Sequence, residues 1–275
     1  MGFSIRTNVS SLVAQTNFAA SQVSLDSSQS KLSSGLRITK AGDDAAGLGI
    51  STSLEANISS YNQAARNAND GIGIIQTAEG ALNETTNLFN RLRQLAVQSA
   101  SDGVGTNERT YINNEATQLT GEIDRIANST EYNGTKLLAA TGTTLDFQVG
   151  IRNVAANDRI SVNSIDATST TLLTAAIDLS SKTGAQAAIG NIDTALQSVS
   201  SARATFGAVG NRFNSVVNTI ATATVNLTAA NSRIRDVNVA EESSNQSRLS
   251  VLVQAGVSVL SQANQGTQAL LKLLQ

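Results

Sequence analysis

Apolar residues recur in steps of four and three along most of this chain, and the pattern stops and restarts at a few Gly-, Asn- and Ser-rich points. Near the C-terminus Leu249, Val253, Gly256, Leu260, Ala263, Thr267, Leu270 and Leu274 follow the alternation without a break. Near the N-terminus Ile5, Val9, Leu12, Thr16, Ala19 and Val23 keep the same step. Both stretches, Ser4 to Leu36 and Asn238 to Gln275, predict long helices whose seams pair as a coiled coil formed from the two ends of the chain.

Between them the pattern predicts three more helices, at about 43–100, 107–129 and 186–236. The first opens at Asp43-Asp44, carboxylates at the positive end of a helix dipole. It carries Leu54, Ile58, Tyr61, Ala65, Ala68, Ile72, Ile75, Glu79, Leu82, Thr86 and Phe89 inward, and Gly71, Gly73 and Gly80 within it predict close helix contact. The second, after the turn-rich run Ser101 to Asn107, buries Ile112, Ala116, Leu119, Ile123 and Ile126. The third has the cleanest period: Ile192, Val199, Phe206, Phe213, Ile220, Leu227 and Ile234 recur every seven residues, with mixed companions Ile189, Leu196, Arg203, Gly210, Val217, Thr224 and Asn231. At 1.5 Å per residue such a helix is roughly 75 Å long.

From Thr143 to Val149 and from Arg159 to Asn163 the period falls to two, which predicts a hairpin with a longer loop. Asn163 to Thr183 reads as irregular. The predicted fold is therefore mainly α. An elongated antiparallel helical-bundle rod spans 37–236, with a small β-hairpin and short variable surface region at 141–183. A terminal coiled coil is made of 1–36 with 237–275. The expected rod core is Leu54, Ile58, Ile72, Ile75, Leu82, Phe89 and the seven-residue series Ile192 to Ile234.

Composition narrows the chemistry. The chain has no Pro, and Pro breaks helix interiors, so its absence suits long helices. Without Cys or His there is no disulfide framework, no Cys/His zinc site and no thiol or imidazole catalyst. We read no catalytic, cofactor-binding or metal site. A net charge of −2 gives no electrostatic reason for nucleic acid. No apolar run approaches the roughly 20 residues of a membrane span. The polar face of the last helix (Ser250, Gln254, Ser258, Ser261, Gln262) lacks the basic residues of a lipid-binding helix. No secretory leader is legible, since Thr7, Asn8, Ser10 and Ser11 interrupt the first apolar stretch.

Three polar signals have a plain structural reading. Asp43-Asp44 reads as a helix start rather than as metal ligands, and Glu79 as an edge or helix–helix hydrogen bond. Arg91 and Arg93 read as a solvated face or an intersubunit ion pair. The apolar residues at the ends say more. Val251, Leu252, Val253, Val257, Val259 and Leu260 cover more than one face of a helix, and such a helix needs several neighbours. Ends of this kind are expected to be largely disordered in the monomer and to fold on polymerisation. The expected polymerisation core is Ile5, Val9, Leu12, Val23, Leu249, Val253, Leu260, Ala263, Leu270 and Leu274.

The residues also carry a resemblance. Leu32-Ser33-Ser34-Gly35-Leu36-Arg37-Ile38-Thr39-Lys40-Ala41-Gly42-Asp43-Asp44-Ala45-Ala46-Gly47-Leu48-Gly49-Ile50 closely resembles the N-terminal segment of bacterial flagellins. Arg91 to Ala100, Glu131 to Leu138, Ala263-Asn264-Gln265 and Leu270 to Leu274 resemble further segments of that family, in the expected order. The resemblance implies a minimal flagellin without a large outer domain, a subunit that polymerises with itself into the extracellular flagellar filament. It implies export by the flagellar type III apparatus with an export chaperone, and contacts with hook-associated junction and cap proteins. It also implies contacts with host innate immune receptors: Arg91, Leu95 and Glu115 match positions read by a vertebrate receptor, and Arg37, Ile38, Asp43 and Asp44 lie in a segment like that read by a plant receptor. Three other functions compete: a hook–filament junction protein or other type III secreted coiled-coil component, a coiled-coil adaptor, and an enzyme, which the residue inventory disfavours.

Overall fold

The computed structural model of the chain describes residues 7–139 and 142–273. Its helices are α1 (Val9–Ser34), α2 (Ala45–Ser99), α3 (Thr106–Ser129), α4 (Ala155–Asp158), α5 (Ser169–Leu172), α6 (Lys182–Arg235) and α7 (Val239–Leu273). Two antiparallel strand pairs complete it: β1 (Glu131–Tyr132) with β2 (Thr135–Lys136), and β3 (Thr144–Gln148) with β4 (Arg159–Asn163). The chain divides into two compact units, residues 1–56 with 226–275, and residues 57–225. The long helices α2 and α6 contribute to both.

In the 57–225 unit the core is built on two seven-residue ladders of α2. Ala68, Ile75, Leu82, Phe89 and Ala96 form one; Ala64, Gly71, Ala78, Thr85, Leu92 and Ser99 form the other, and all are buried. On α6, Ile192, Val199, Phe206, Phe213 and Ile220 are buried as the heptad predicts. Their companions are Ala188, Ala195 and Ala202, not Ile189, Leu196 and Arg203, which are only half-buried. The same one-residue error affects α2, where Ile72, Glu79 and Thr86 are half-buried edges of the seam. The physical reason is size. A helix opposite bulky Phe and Ile needs small residues facing them, and Ala and Gly carry little hydropathy to betray their burial.

Gly71 shows this most clearly. A Cβ added there would lie 2.5 Å from Cζ of Phe213, so the ring rests directly on the α2 backbone. Gly80 has open space around it, and a Cβ on Gly73 would meet only the Tyr132 hydroxyl at 3.9 Å and its ring at 4.0 Å, so neither mediates close contact among the described residues. The other edge of Phe213 meets Phe147 of β3 in a T-shaped pair, with centroids 5.5 Å apart and an interplanar angle of 85°. The Asn67 amide donates to the Gln148 carbonyl at 2.9 Å, and the hairpin is thereby fastened to α2 as well.

On α3, Ile112, Ala116, Ile123 and Ala127 are buried, while Leu119 and Ile126 are half-buried. Its end turns through Asn133 (φ 48°) and Gly134 (φ 77°), the two positive-φ residues that a two-residue hairpin loop requires. Arg109 donates to the Ser99 and Ser101 carbonyls, each at 2.9 Å, and so satisfies the last turn of α2. The stretch expected to be irregular contains one short helix, α5, whose first amide and hydroxyl (Ser169) both donate to the Asp124 carboxylate, at 2.7 and 2.8 Å.

In the other unit α1 and α7 run antiparallel. The Asn8 side chain donates to Ala263 O at 2.9 Å and Ser11 Oγ to Asn264 Oδ1 at 2.8 Å. Asn8 also caps α1 by accepting from Ser11 N, and Gly35, at φ 72°, closes its C-terminus with a bond to Lys31 O.

Candidate functional site

The α1–α7 seam mixes small and polar residues with a few larger apolar ones. On α1 the positions turned inward are Ser11, Ala14, Phe18, Ser21, Leu25 and Ser28; on α7 they are Gln246, Leu249, Val253, Gly256, Leu260 and Ala263. Phe18 is the one aromatic in it, and its ring lies 3.1 Å from where a Cβ on Gly256 would stand. The C-terminal seam is the one that the periodicity predicts. The N-terminal seam is not: Val9, Leu12, Thr16, Ala19 and Val23 all point away from α7. Val9, Leu12 and Val23 are 63%, 64% and 69% exposed. The step of four and three was right, but the helix presents its more polar stripe to α7 and its aliphatic stripe outward.

The outer side of α7 matches it. Val251, Leu252, Val257 and Val259 are all exposed. Neither helix carries charge there: Val9 to Leu25 and Leu249 to Leu271 contain no Asp, Glu, Lys or Arg. Each aliphatic side chain left in water forgoes roughly 1.5–3 kcal/mol of burial. Exposed aliphatic side chains on several sides of an uncharged stretch of the helix pair are what a protein–protein contact would cover. Ile5, Leu274 and the side chain of Leu270 lie outside the described residues.

The segments joining this pair to α2 and α6 are held tightly. Residues 35–37 and 235–237 form an antiparallel bridge, Leu36 opposite Asp236. Arg37 N donates to Arg235 O at 2.6 Å and Val237 N to Gly35 O at 3.0 Å. The Arg37 guanidinium reaches Ile234 O through Nη2 (2.6 Å) and Nε (3.1 Å). Arg235 in turn pairs with Glu55. Ile38 is buried, at 2% exposure, under the first turn of α2. Asp44 is the N-terminal cap of that helix, accepting from Gly47 N at 2.8 Å. Asp43 instead closes the preceding turn, since its Oδ2 accepts from the amides of Thr39 and Lys40 and from the Thr39 hydroxyl. Those bonds, the Thr39 amide first, hold its carboxyl below the usual range.

The expected receptor positions fare unevenly. Arg91 pairs with Glu115 across α2 and α3 at 2.8 Å, so the ion pair lies within the chain rather than between subunits. Arg93 likewise pairs with Asp193 of α6, at 2.6 Å. Leu95 is 2% exposed, turned into the core beside Leu92, and offers no accessible side chain. Glu79 sits 4.0 Å from Arg203, an edge position as expected. Of the rod-core positions, Ile75, Leu82, Phe89, Ile192, Val199, Phe206, Phe213 and Ile220 are buried; Leu54, Ile58, Ile72, Leu227 and Ile234 are half-buried. Among the described residues no cluster of three or more Asp or Glu could hold a metal, and no helix is long and apolar enough to cross a membrane.

These features define a class: a helical structural subunit whose two ends pair and present an uncovered apolar face. The comparisons agree on the family. Residues 5–143 match the bacterial flagellin N-terminal helical region and residues 189–274 match the bacterial flagellin C-terminal helical region. Flagellin of Halalkalibacterium halodurans is 41% identical over 271 residues, covering 98% of this chain and 99% of that protein. The flagellar filament 33 kDa core protein of Treponema phagedenis is 38% identical over 285 residues, with the same coverage. Among solved structures, Bacillus cereus flagellin is similar with a TM-score of 0.51 and 30% identity, over 60% of this chain and 94% of that one. A hook-associated protein structure from Vibrio parahaemolyticus, at 14% identity and a TM-score of 0.59, shares the fold alone. The chain belongs to the bacterial flagellin family.

Proposed function

We propose that this chain is the structural subunit of a flagellar filament and assembles with copies of itself through the outward faces of α1 and α7. The observation that carries the proposal is the uncharged aliphatic surface of Val9, Leu12, Val23, Val251, Leu252 and Val257, which no described residue covers. In this reading residues 1–36 and 237–275 form the polymerising part, with Leu249, Val253, Leu260 and Ala263 holding the pair together. Residues 37–236 supply the folded body. The family membership and the high-coverage relatives named as flagellins and filament core proteins support the reading. A filament places the protein outside the cell, which calls for export, here by the flagellar type III route with a chaperone, and for junction and cap proteins at the filament ends. For host receptors, the exposed Arg91–Glu115 pair is the accessible part of the matching region.

The experiment is polymerisation of the purified chain, followed by electron microscopy and sedimentation. Long helical filaments from this chain alone support the proposal. A small oligomer that stops growing supports a junction protein or an adaptor instead, because only an open interface propagates.

A further inference from the structure

The interruption between α6 and α7 is three residues long, Asp236-Val237-Asn238, and the sequence there explains it only in part. Ala229 to Glu242 contains neither Gly nor Pro, so no residue forbids a continuous helix. Asn238, with Glu241 three residues on, favours a helix start at that point without requiring one. The hydrogen bonds decide between the two.

A helix running straight through would bond the amides of Val237, Asn238 and Val239 to the carbonyls of Arg233, Ile234 and Arg235. Up to Asp236 the helix keeps that pattern, with Asp236 N on Ser232 O at 2.9 Å. At Val237 it is diverted: the amide goes to Gly35 O. The Ile234 carbonyl is taken by the Arg37 guanidinium, and the Arg235 carbonyl by the Arg37 amide. One residue of the α1–α2 crossing therefore occupies two of the three carbonyls that the next turn of α6 would need.

We propose that this joint is a two-setting device. With the crossing 35–37 docked, α6 ends at Arg235 and α7 starts afresh at Val239. With it undocked, the freed groups recover their helical partners and α6 continues into α7 as one helix. Val237 N, Ile234 O and Arg235 O have partners in both settings, so the docking of Arg37 selects between them. The state of the α1–α2 crossing is thus read out at the base of α7, the helix that carries the outward face.

The test uses the full chain with Arg37→Pro, which removes both the amide and the guanidinium. Arg37→Ala, which removes the guanidinium alone, serves as the milder variant and is read in the same way if the first does not fold. The readout is the backbone 13Cα chemical shift of Asp236, Val237 and Asn238. We expect these to move downfield to helical values in Arg37→Pro and part of the way in Arg37→Ala. A merely structural role for Arg37 predicts fraying, with shifts moving to random-coil values. That result, or shifts unchanged from the parent, overturns the proposal. Protection of the Val237 amide alone does not discriminate, since it is bonded in both settings.

Discussion

The two units are built from the same kind of helix and differ in where their apolar side chains end up. In the 57–225 unit Phe89, Phe213, Leu82, Leu92, Ile123 and Ile192 are buried against one another inside a single chain. In the unit of 1–56 with 226–275, the buried apolar side chains among those described are Ile38 and Leu249, while nine Val and Leu side chains of α1 and α7 (Val9, Leu12, Val13, Val23, Val239, Val251, Leu252, Val257 and Val259) face water. A helix pair is stable in a monomer when its partners lie within the chain, and adhesive when they do not. The first unit covers its large apolar side chains from within the chain. In the second, the exposed ones have no cover among the described residues.

That contrast can be sharpened by matched aromatic truncations. Phe213→Ala removes a fully buried α6 ring that touches α2 and β3, and should cost about 3–5 kcal/mol of the 57–225 transition in a denaturant melt. Phe18→Ala, in the thin seam, should leave that transition unmoved and loosen only the α1–α7 pair, seen as faster amide exchange there. A comparable loss from both would contradict the division of labour. Gly71→Ala is the next largest effect. The added methyl meets the Phe213 ring, and overpacking of this kind costs about 1–3 kcal/mol. The same change at Gly80, where nothing lies within 4 Å, should stabilise the monomer by up to about 1 kcal/mol through helix propensity.

Acid gives the smallest effect and the most general one. Asp43, Asp102, Asp178 and Asp193 have carboxyls held below their ordinary values, chiefly by hydrogen bonds from Thr39, Lys182, Ser180 and Arg93 respectively. For Asp166 burial acts upward, but bonds from Thr168 and Thr171 outweigh it. A depressed folded-state value means that the unfolded chain binds protons first. Stability from these groups is therefore complete above the unfolded value of about 3.9 and is lost as pH falls through the folded values. A thermal melt should be flat from about pH 7 to 5 and fall below about pH 4. A loss already complete at about pH 5 would contradict the assignment.

The sequence was most legible where large residues repeat. The series Ile192 to Ile220 named one wall of the core without help, and the shift to period two located β3 and β4 to within a residue or so at each end. It was least legible where burial is imposed from across the interface. Gly71 is inside because the Phe213 ring fills the space beyond it, not because it is hydrophobic, and Ala64 and Ala78 on the same ladder are buried with little hydropathy to show it. On α1 the apolar stripe was visible but its direction was not. Hydropathy says that Val9, Leu12 and Val23 seek cover; it does not say from which molecule. Ser28, 2% exposed, faces inward because the close approach of two helices selects small side chains. The Arg37 bridge was invisible too, since it joins two short segments with no period of their own.

The central claim is that the outward face of the terminal pair is the assembly surface. Its most direct test is negative-stain electron microscopy of polymer grown from the full chain carrying Val251→Asp and Val257→Asp, both at exposed positions. The account predicts an unchanged melt of the 57–225 unit and no filaments, because a carboxylate buried unpaired between subunits is costly. Filaments of normal length from this variant would contradict it.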